Sequence, residues 1–158
     1  MLTLVWEDVL DRYGTLVYRL AYQNTRSRQD AEDVAQEVFV ALVRSAPRLE
    51  DETHLKAWLI RCTGQRCKNL AASAWKRHTV PLEERAEQTA SDSTSAVLAA
   101  VGSLPQKYRD TVYLHYIEGY TAEEIGALLG CGKNTVLSRL MRARRLLKVL
   151  LKEEFDFE

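Results

Sequence analysis

The chain has only three prolines in 158 residues, and each stands alone, at Pro47, Pro81 and Pro105. That excludes a polyproline or turn-rich architecture. Its seven glycines form no phosphate-cradling cluster, which argues against a nucleotide-binding loop. The cysteines, Cys62, Cys67 and Cys131, are odd in number, and Cys62 and Cys67 are spaced so that a helix turns them away from each other. This disfavours a disulfide or a shared metal and fits reduced, buried thiols in a cytoplasmic protein. No apolar run approaches membrane-spanning length, and Met1 to Val5 runs straight into Trp6, Glu7 and Asp8, so neither a membrane partner nor a signal peptide is expected. His54, His78 and His115 are scattered without a matching nucleophile or ligand cluster, so no enzyme chemistry and no cofactor is expected. No sustained apolar-polar alternation marks a strand. An excess of charge is also missing, since 22 basic and 22 acidic residues cancel. The signs are nevertheless unevenly distributed along the chain.

What is present is helical period. Val9, Leu10, Tyr13, Leu16, Val17, Leu20 and Ala21 predict a first helix from about Trp6 to Asn24. Ser27 with Asp30 forms a capping-box pattern before a stripe of Ala31, Val34, Ala35, Val38, Phe39 and Leu42, which ends near Pro47. Glu32, Asp33, Gln36 and Glu37 fall on the opposite face. Thr53 is positioned to cap a third helix reaching about Arg77, with Leu55, Trp58, Leu59, Cys62 and Leu70 facing inward. On this reading Trp58 belongs to the core, with a stacking platform as the alternative. Between His78 and Ser95 the apolar period stops and the segment reads as a linker. Val97, Leu98, Val101 and Leu104 restart it, Pro105 fits the first turn of the next helix, and Val112, Tyr113, Tyr116 and Ile117 carry that helix to Gly119.

From Tyr120 to Leu151 the pattern is a helix-turn-helix. Thr121 and Glu124 make an N-terminal capping box, and Gly130 supplies a left-handed stop after Leu129. Ile125, Leu129, Cys131, Val136 and Leu140 are spaced to bury against one another, while Gly126 lets two backbones approach. The second helix starts with Lys133, Asn134 and Thr135 and continues with Ser138, Arg139, Arg142, Arg144, Arg145, Lys148 and Lys152. No Asp or Glu occurs between Glu124 and Glu153. A solvated amphipathic helix usually mixes both signs, so this one points to DNA. The fold class is therefore all-α: two small helical domains, the C-terminal one a helix-turn-helix, joined by a flexible linker.

Three runs in order carry a family resemblance: D-A-E-D-V-A-Q-E-V-F from Asp30 to Phe39, W-L-I-R from Trp58 to Arg61, and Y-T-A-E-E-I-G-A-L-L-G from Tyr120 followed by T-V-L-S-R-L-M-R-A-R-R-L-L from Thr135. The chain resembles the extracytoplasmic-function sigma factors of bacterial RNA polymerase over nearly its whole length. The resemblance implies a region-2 domain at 1–78, a linker at 79–95 and a region-4 domain at 96–158. It implies that Asp30, Asp33, Gln36 and Glu37 face a helical coiled coil of core RNA polymerase, although the same residues would also solvate a helix and complement its dipole. Arg61, Gln65, Lys68 and Ala72 recur at helical spacing on the third helix. By resemblance, Arg61, Gln65, Lys68 and Asn69, with Lys76 and Arg77 beyond, read the minus-ten promoter element, cations meeting phosphates and amides meeting exposed base edges.

The loop Pro47 to His54 resembles the segment that lines a pocket for a flipped base, with Glu50, Asp51 and Glu52 suited to a cytosine amino group; an ordinary acidic surface loop is the alternative. Lys133, Asn134, Thr135, Ser138, Arg139 and Arg142 are implied to lie in the major groove of the minus-thirty-five element. The chain departs from the family pattern at Gly64, Gln65, Leu137 and Met141. Leu137 suits a thymine methyl or a partner protein. The implied function is promoter-specific initiation with core polymerase and promoter DNA as partners, and many relatives are held inactive by an anti-sigma protein. The alternatives are a stand-alone helix-turn-helix regulator and a degenerate sigma paralogue acting as an interaction protein.

Overall fold

A computed structural model describes residues 3–45, 47–77 and 92–155. The elements are helices α1 (Trp6–Thr25), α2 (Arg28–Ser45), α3 (Glu52–Arg77), α4 (Asp92–Gly102), α5 (Gln106–Val112) with a π-helical continuation (Tyr113–Ile117), α6 (Ala122–Leu129) and α7 (Lys133–Phe155). The chain divides into two compact units, Met1–Ala86 and Glu87–Glu158. The linker expected at 79–95 lies outside the described residues as far as 91, and α4 begins at Asp92, inside the stretch read as linker.

In the first unit α1, α2 and α3 pack pairwise around one core. Val9, Tyr13, Leu16, Val17, Leu20 and Ala21 of α1 are buried, as their spacing requires. Leu10 is not: it stands 51% exposed and faces a groove. Arg26, at φ 56°, takes the left-handed position that ends α1 and returns its N–H to Tyr22 O at 2.7 Å. Ser27 then caps α2, its hydroxyl accepting from Asp30 N at 3.2 Å. Ala31, Val34, Val38 and Leu42 of α2 face inward.

The third helix ends at Arg77 as expected but departs from expectation at its start and in part of its inward face. It is capped by Asp51, whose Oδ1 accepts from His54 N at 2.8 Å, rather than by Thr53, and Glu52 already lies within it. Its buried face carries Leu55, Ala57, Leu59, Ile60, Thr63 and Cys67. Trp58, Cys62 and Leu70 are only half-buried on the flank. Ala57, Ile60, Thr63 and Cys67 repeat every three or four residues, so the core stripe runs beside Trp58 and Cys62 rather than through them. Thr63 tolerates full burial because its hydroxyl donates to Leu59 O at 2.7 Å. Leu20, Leu42, Leu49, Leu55, Leu59 and Ile60 are essentially fully buried, each worth roughly 1.5–3 kcal/mol relative to exposure.

In the second unit α4, α5 and α6 each pack on α7. Leu104, Tyr108, Val112 and Ala143 form one cluster with Leu147 against it. Leu114, Ile125, Leu128, Val136 and Leu140 are buried on the helix-turn-helix side. Pro105 sits at the N-cap of α5, one position earlier than expected, and its carbonyl accepts from both Tyr108 N and Arg109 N. The end of this helix widens: Glu118 N donates to Tyr113 O at 3.1 Å, a bond spanning five residues. The extra residue in that turn shifts the helical register, so Tyr116 and Ile117, expected on the apolar face, stand 53% and 64% exposed.

Candidate nucleic-acid interface

The helix-turn-helix is fixed by three local devices that the sequence announces. Thr121 Oγ1 accepts from Glu124 N at 3.1 Å while Glu124 Oε1 accepts from Thr121 N at 2.9 Å, closing the capping box. Gly130, at φ 77°, ends α6, and Gly130 N and Cys131 N both donate to Gly126 O at 2.9 Å. A Cβ on Gly126 would stand 2.6 Å from Cys131 O, so only glycine allows the turn to lie against α6.

These devices hold α7 with Val136, Leu140 and Ala143 inward and its opposite face outward. Lys133, Asn134, Thr135 and Arg142 are exposed, as are Arg145 and Lys148, while Ser138 is half-buried. Arg139 is also half-buried, its guanidinium turned toward Cys131 Sγ at 4.0 Å. Arg144 is held within the unit: Nε donates to Tyr116 Oη at 2.6 Å and the guanidinium lies 5.8 Å over the same ring, with His115 edge-on at 4.8 Å. The exposed tyrosine left by the π-helical turn is therefore what positions this arginine. Lys152 belongs to α7, but its side chain lies outside the described residues.

A second candidate surface lies on α3. His54, Trp58, Arg61, Cys62, Gln65, Arg66 and Asn69 line an open groove of about 510 Å³. Gln65 Nε2 donates to Asn69 Oδ1 at 3.0 Å, so the two amides are joined. Arg61, Gln65, Lys68 and Asn69 are all exposed, and Lys68 points outside this groove. Lys76 and Arg77 lie in the last turn of α3, with side chains outside the described residues. Sequence reasoning placed Trp58 in the core and passed over His54 and Cys62 as groove residues. The spacing Trp58, Cys62, Gln65, Asn69 was the available signal, a helical stripe mixing an aromatic with amides. Of the acidic loop residues, Asp51 caps α3, and Glu52 bonds the Tyr13 hydroxyl and pairs with Arg12 at 3.0 Å. Those two carboxylates already have partners inside the unit; Glu50 is exposed like them, and its backbone N–H donates to His54 Nδ1 at 3.2 Å.

The four residues of the acidic α2 face separate into two places. Asp30, Asp33 and Glu37 line a cleft of about 270 Å³ with Val34, Arg66, Asn69 and Leu70, and Arg66 reaches Glu37 at 3.4 Å. Gln36 lines a larger groove between α1 and α2, of about 680 Å³, walled by Leu10, Tyr18, Phe39, Val40 and Val43. Asp33, Gln36 and Glu37 are exposed and Asp30 is half-buried. Exposed pairs such as Arg66 with Glu37 are worth about 0–1 kcal/mol, so this one yields readily to a competing partner. Cys67 is buried, while Cys62 and Cys131 are half-exposed, contrary to the expectation that all three are interior. No group of three metal-ligating side chains and no helix long and apolar enough to cross a membrane occurs among the described residues.

The sequence matches Sigma-70 region 2 over residues 9–77 and Sigma-70 region 4 over residues 94–147. It is 35% identical to the ECF RNA polymerase sigma factor SigE of Mycolicibacterium smegmatis, an alignment covering 90% of this chain and 60% of that relative. The chain thus spans about 60% of the length of SigE. It is 30% identical to the ECF RNA polymerase sigma factor SigM of Mycobacterium tuberculosis, covering 92% of this chain and 76% of SigM. In fold it is similar to the sigma factor RpoE of Bartonella quintana, solved in complex with the anti-sigma factor NepR, at TM-score 0.71 and 21% identity over 94% of this chain and 98% of that one. CnrH, solved with the cytosolic domain of CnrY, is similar at TM-score 0.71 and 23% identity over 94% and 88% of the two chains. By its sequence, the chain belongs to the extracytoplasmic-function group of the sigma-70 family.

Proposed function

We propose that this chain is a dissociable initiation subunit of bacterial RNA polymerase, supplying promoter specificity while the core enzyme does the chemistry. The observation that carries the proposal is the presence in one chain of region 2, at 9–77, and region 4, at 94–147, the latter holding a helix-turn-helix with no acid in the sequence from 125 to 152. A stand-alone regulator has no use for the first of these. The proposed division is 1–78 for core polymerase and the minus-ten element, 79–95 as tether and 96–158 for the minus-thirty-five element. Tethering raises the effective concentration of the second DNA contact, so neither unit needs high affinity alone.

In this reading Asp30, Asp33, Gln36 and Glu37 meet a basic helical segment of the core enzyme. The exposure of Asp33, Gln36 and Glu37 and the weakness of the Arg66 pair support it. Arg61, Gln65, Lys68 and Asn69, continued by Lys76 and Arg77, meet the minus-ten element, and the groove beside Trp58 supports this by offering a stacking ring next to paired amides. Lys133, Asn134, Thr135, Ser138, Arg139 and Arg142 meet the minus-thirty-five element, supported by the outward face of α7. An anti-sigma protein is the inhibitory partner that family membership supports.

The test is association with core polymerase on a sizing column at micromolar concentration. The parent chain co-elutes with core enzyme, whereas a chain with Asp33, Gln36 and Glu37 all replaced by Ala elutes alone while keeping its helical circular dichroism. A parent chain that fails to co-elute contradicts the function. A triple variant that co-elutes fully removes the α2 face from the account.

A further inference from the structure

The outward face of α7 is not uniformly polar. Leu137 is 45% exposed and Met141 48% exposed, on the flank of the helix between the buried line of Val136, Leu140 and Ala143 and its polar outer face. Four residues apart, the two side chains stand one above the other, about 6 Å along the helix axis, and make one narrow apolar strip. Asn134, Ser138, Arg142 and Arg145 lie along its outer side, and no acid occurs in the sequence from 125 to 152. The ligand that suits this face is a polyanion carrying small, isolated apolar groups. Duplex DNA has that chemistry: phosphates flank a major groove in which thymine alone presents a methyl group. Leu146, Val149 and Leu150 are also exposed on α7, but they follow Arg144 and Arg145 toward its far end; the two side chains near its start, with hydrogen-bonding and cationic groups beside them, offer far too little apolar area for a stable protein interface.

We propose that Leu137 and Met141 form an apolar reading strip that packs on thymine C5-methyl groups within the minus-thirty-five element, making them specificity-determining residues. This rests on the promoter reading above. The neighbouring cations position the helix on phosphates without carrying sequence information, and the strip adds a preference for thymine at one or two positions. The 6 Å separation corresponds to about two base-pair steps where the helix follows the groove.

The experiment uses the full chain bound to core polymerase and a library of random-sequence duplexes. The duplex selected by the parent holoenzyme is resynthesised with deoxyuridine replacing each thymine in turn, which removes a methyl group and leaves base pairing unchanged. At one or two positions of the upstream element the replacement weakens parent binding about fourfold, the scale of one buried methyl. Holoenzymes carrying Leu137→Ala or Met141→Ala bind the thymine duplex more weakly and each lose sensitivity to deoxyuridine at one of those positions. Parent binding that ignores every such replacement in that element overturns the strip and leaves the promoter reading standing. An equal deoxyuridine penalty in parent and variants overturns it as well, because the methyl is then sensed elsewhere. If the parent holoenzyme selects no duplex, the promoter reading itself has failed, and the strip falls with it.

Discussion

Gly126 lies so close under the carbonyl of Cys131 that a side chain on it would meet that oxygen at 2.6 Å. This single approach sets how α6 meets the turn into α7, and so how the basic face of α7 is presented. Gly14, in the middle of α1, has nothing within 4 Å of the place its Cβ would occupy. The same substitution therefore has opposite signs at the two sites. Gly14→Ala raises stability by about 0.5–1 kcal/mol through helix propensity. Gly126→Ala forces a backbone shift and lowers stability by about 1–3 kcal/mol despite the same propensity gain. Thermal unfolding of both variants checks this, and a stabilised Gly126→Ala contradicts it.

Tyr13 gives a pH dependence. Burial first, and then the hydrogen bond and negative charge of Glu52, push its hydroxyl pKa up to about 12 from 10.0. The unfolded chain releases this proton near pH 10 and the folded chain holds it to about pH 12. The folded state thus binds more protons in that window, and the stability present below it is lost as pH rises through it. Tyr13→Phe removes this part of the alkaline fall, a difference on the order of 1 kcal/mol after allowance for solvent around Arg12 and Glu52. Urea unfolding of both chains below and within the window reads the difference. Parallel curves would contradict the assignment.

The helices of the first unit and the helix-turn-helix were legible in the sequence because their signals are local. Apolar residues three and four apart mark α1 and α2, and Thr121, Glu124, Gly126 and Gly130 mark the turn into α7. The cap of α3 was not, since Asp51 and Thr53 are both capping residue types two positions apart, and the backbone path places Asp51 at the cap. Its inward face was read rightly at Leu55 and Leu59 and wrongly at Trp58 and Cys62, which are apolar enough to pass for core, while Ala57, Ile60, Thr63 and Cys67 complete the buried face. The π-helical turn at Tyr113–Ile117 has no sequence signature, so the outward turn of Tyr116 and its hold on Arg144 came only from the structure. The Arg66–Glu37 pair spans two helices and was invisible to any local pattern. Nothing in α4 before Ala96 looks helical, as Asp92, Ser93, Thr94 and Ser95 are all turn-favouring residues.

The cations of α7 differ in availability. Arg142 and Arg145 are exposed, whereas Arg144 is engaged by Tyr116. Replacing Arg142 by Ala costs about 1–3 kcal/mol in promoter binding if it meets a base, with loss of discrimination at one position. Arg145→Ala weakens binding across sequences and reduces the salt slope by about 1. Arg144→Ala has a smaller effect on the slope than Arg145→Ala. Holoenzyme binding titrated over a range of salt separates the three, and a larger slope change for Arg144→Ala would remove the Tyr116 contact from the account.

Thr121 closes the capping box at the start of α6. Thr121→Ala lowers the stability of the second unit by about 1 kcal/mol. Hydrogen exchange of the α6 amides reports it, and unchanged protection of Glu124 N–H contradicts the role given to the hydroxyl.

The most direct test of the central claim is transcription by core polymerase with and without this chain, followed by mapping of the transcript starts. The account predicts new starts that appear only with the chain and that share two separated upstream elements. Core polymerase whose transcripts are unchanged by the chain, or sequence-specific DNA binding at full strength by the chain alone, would contradict it.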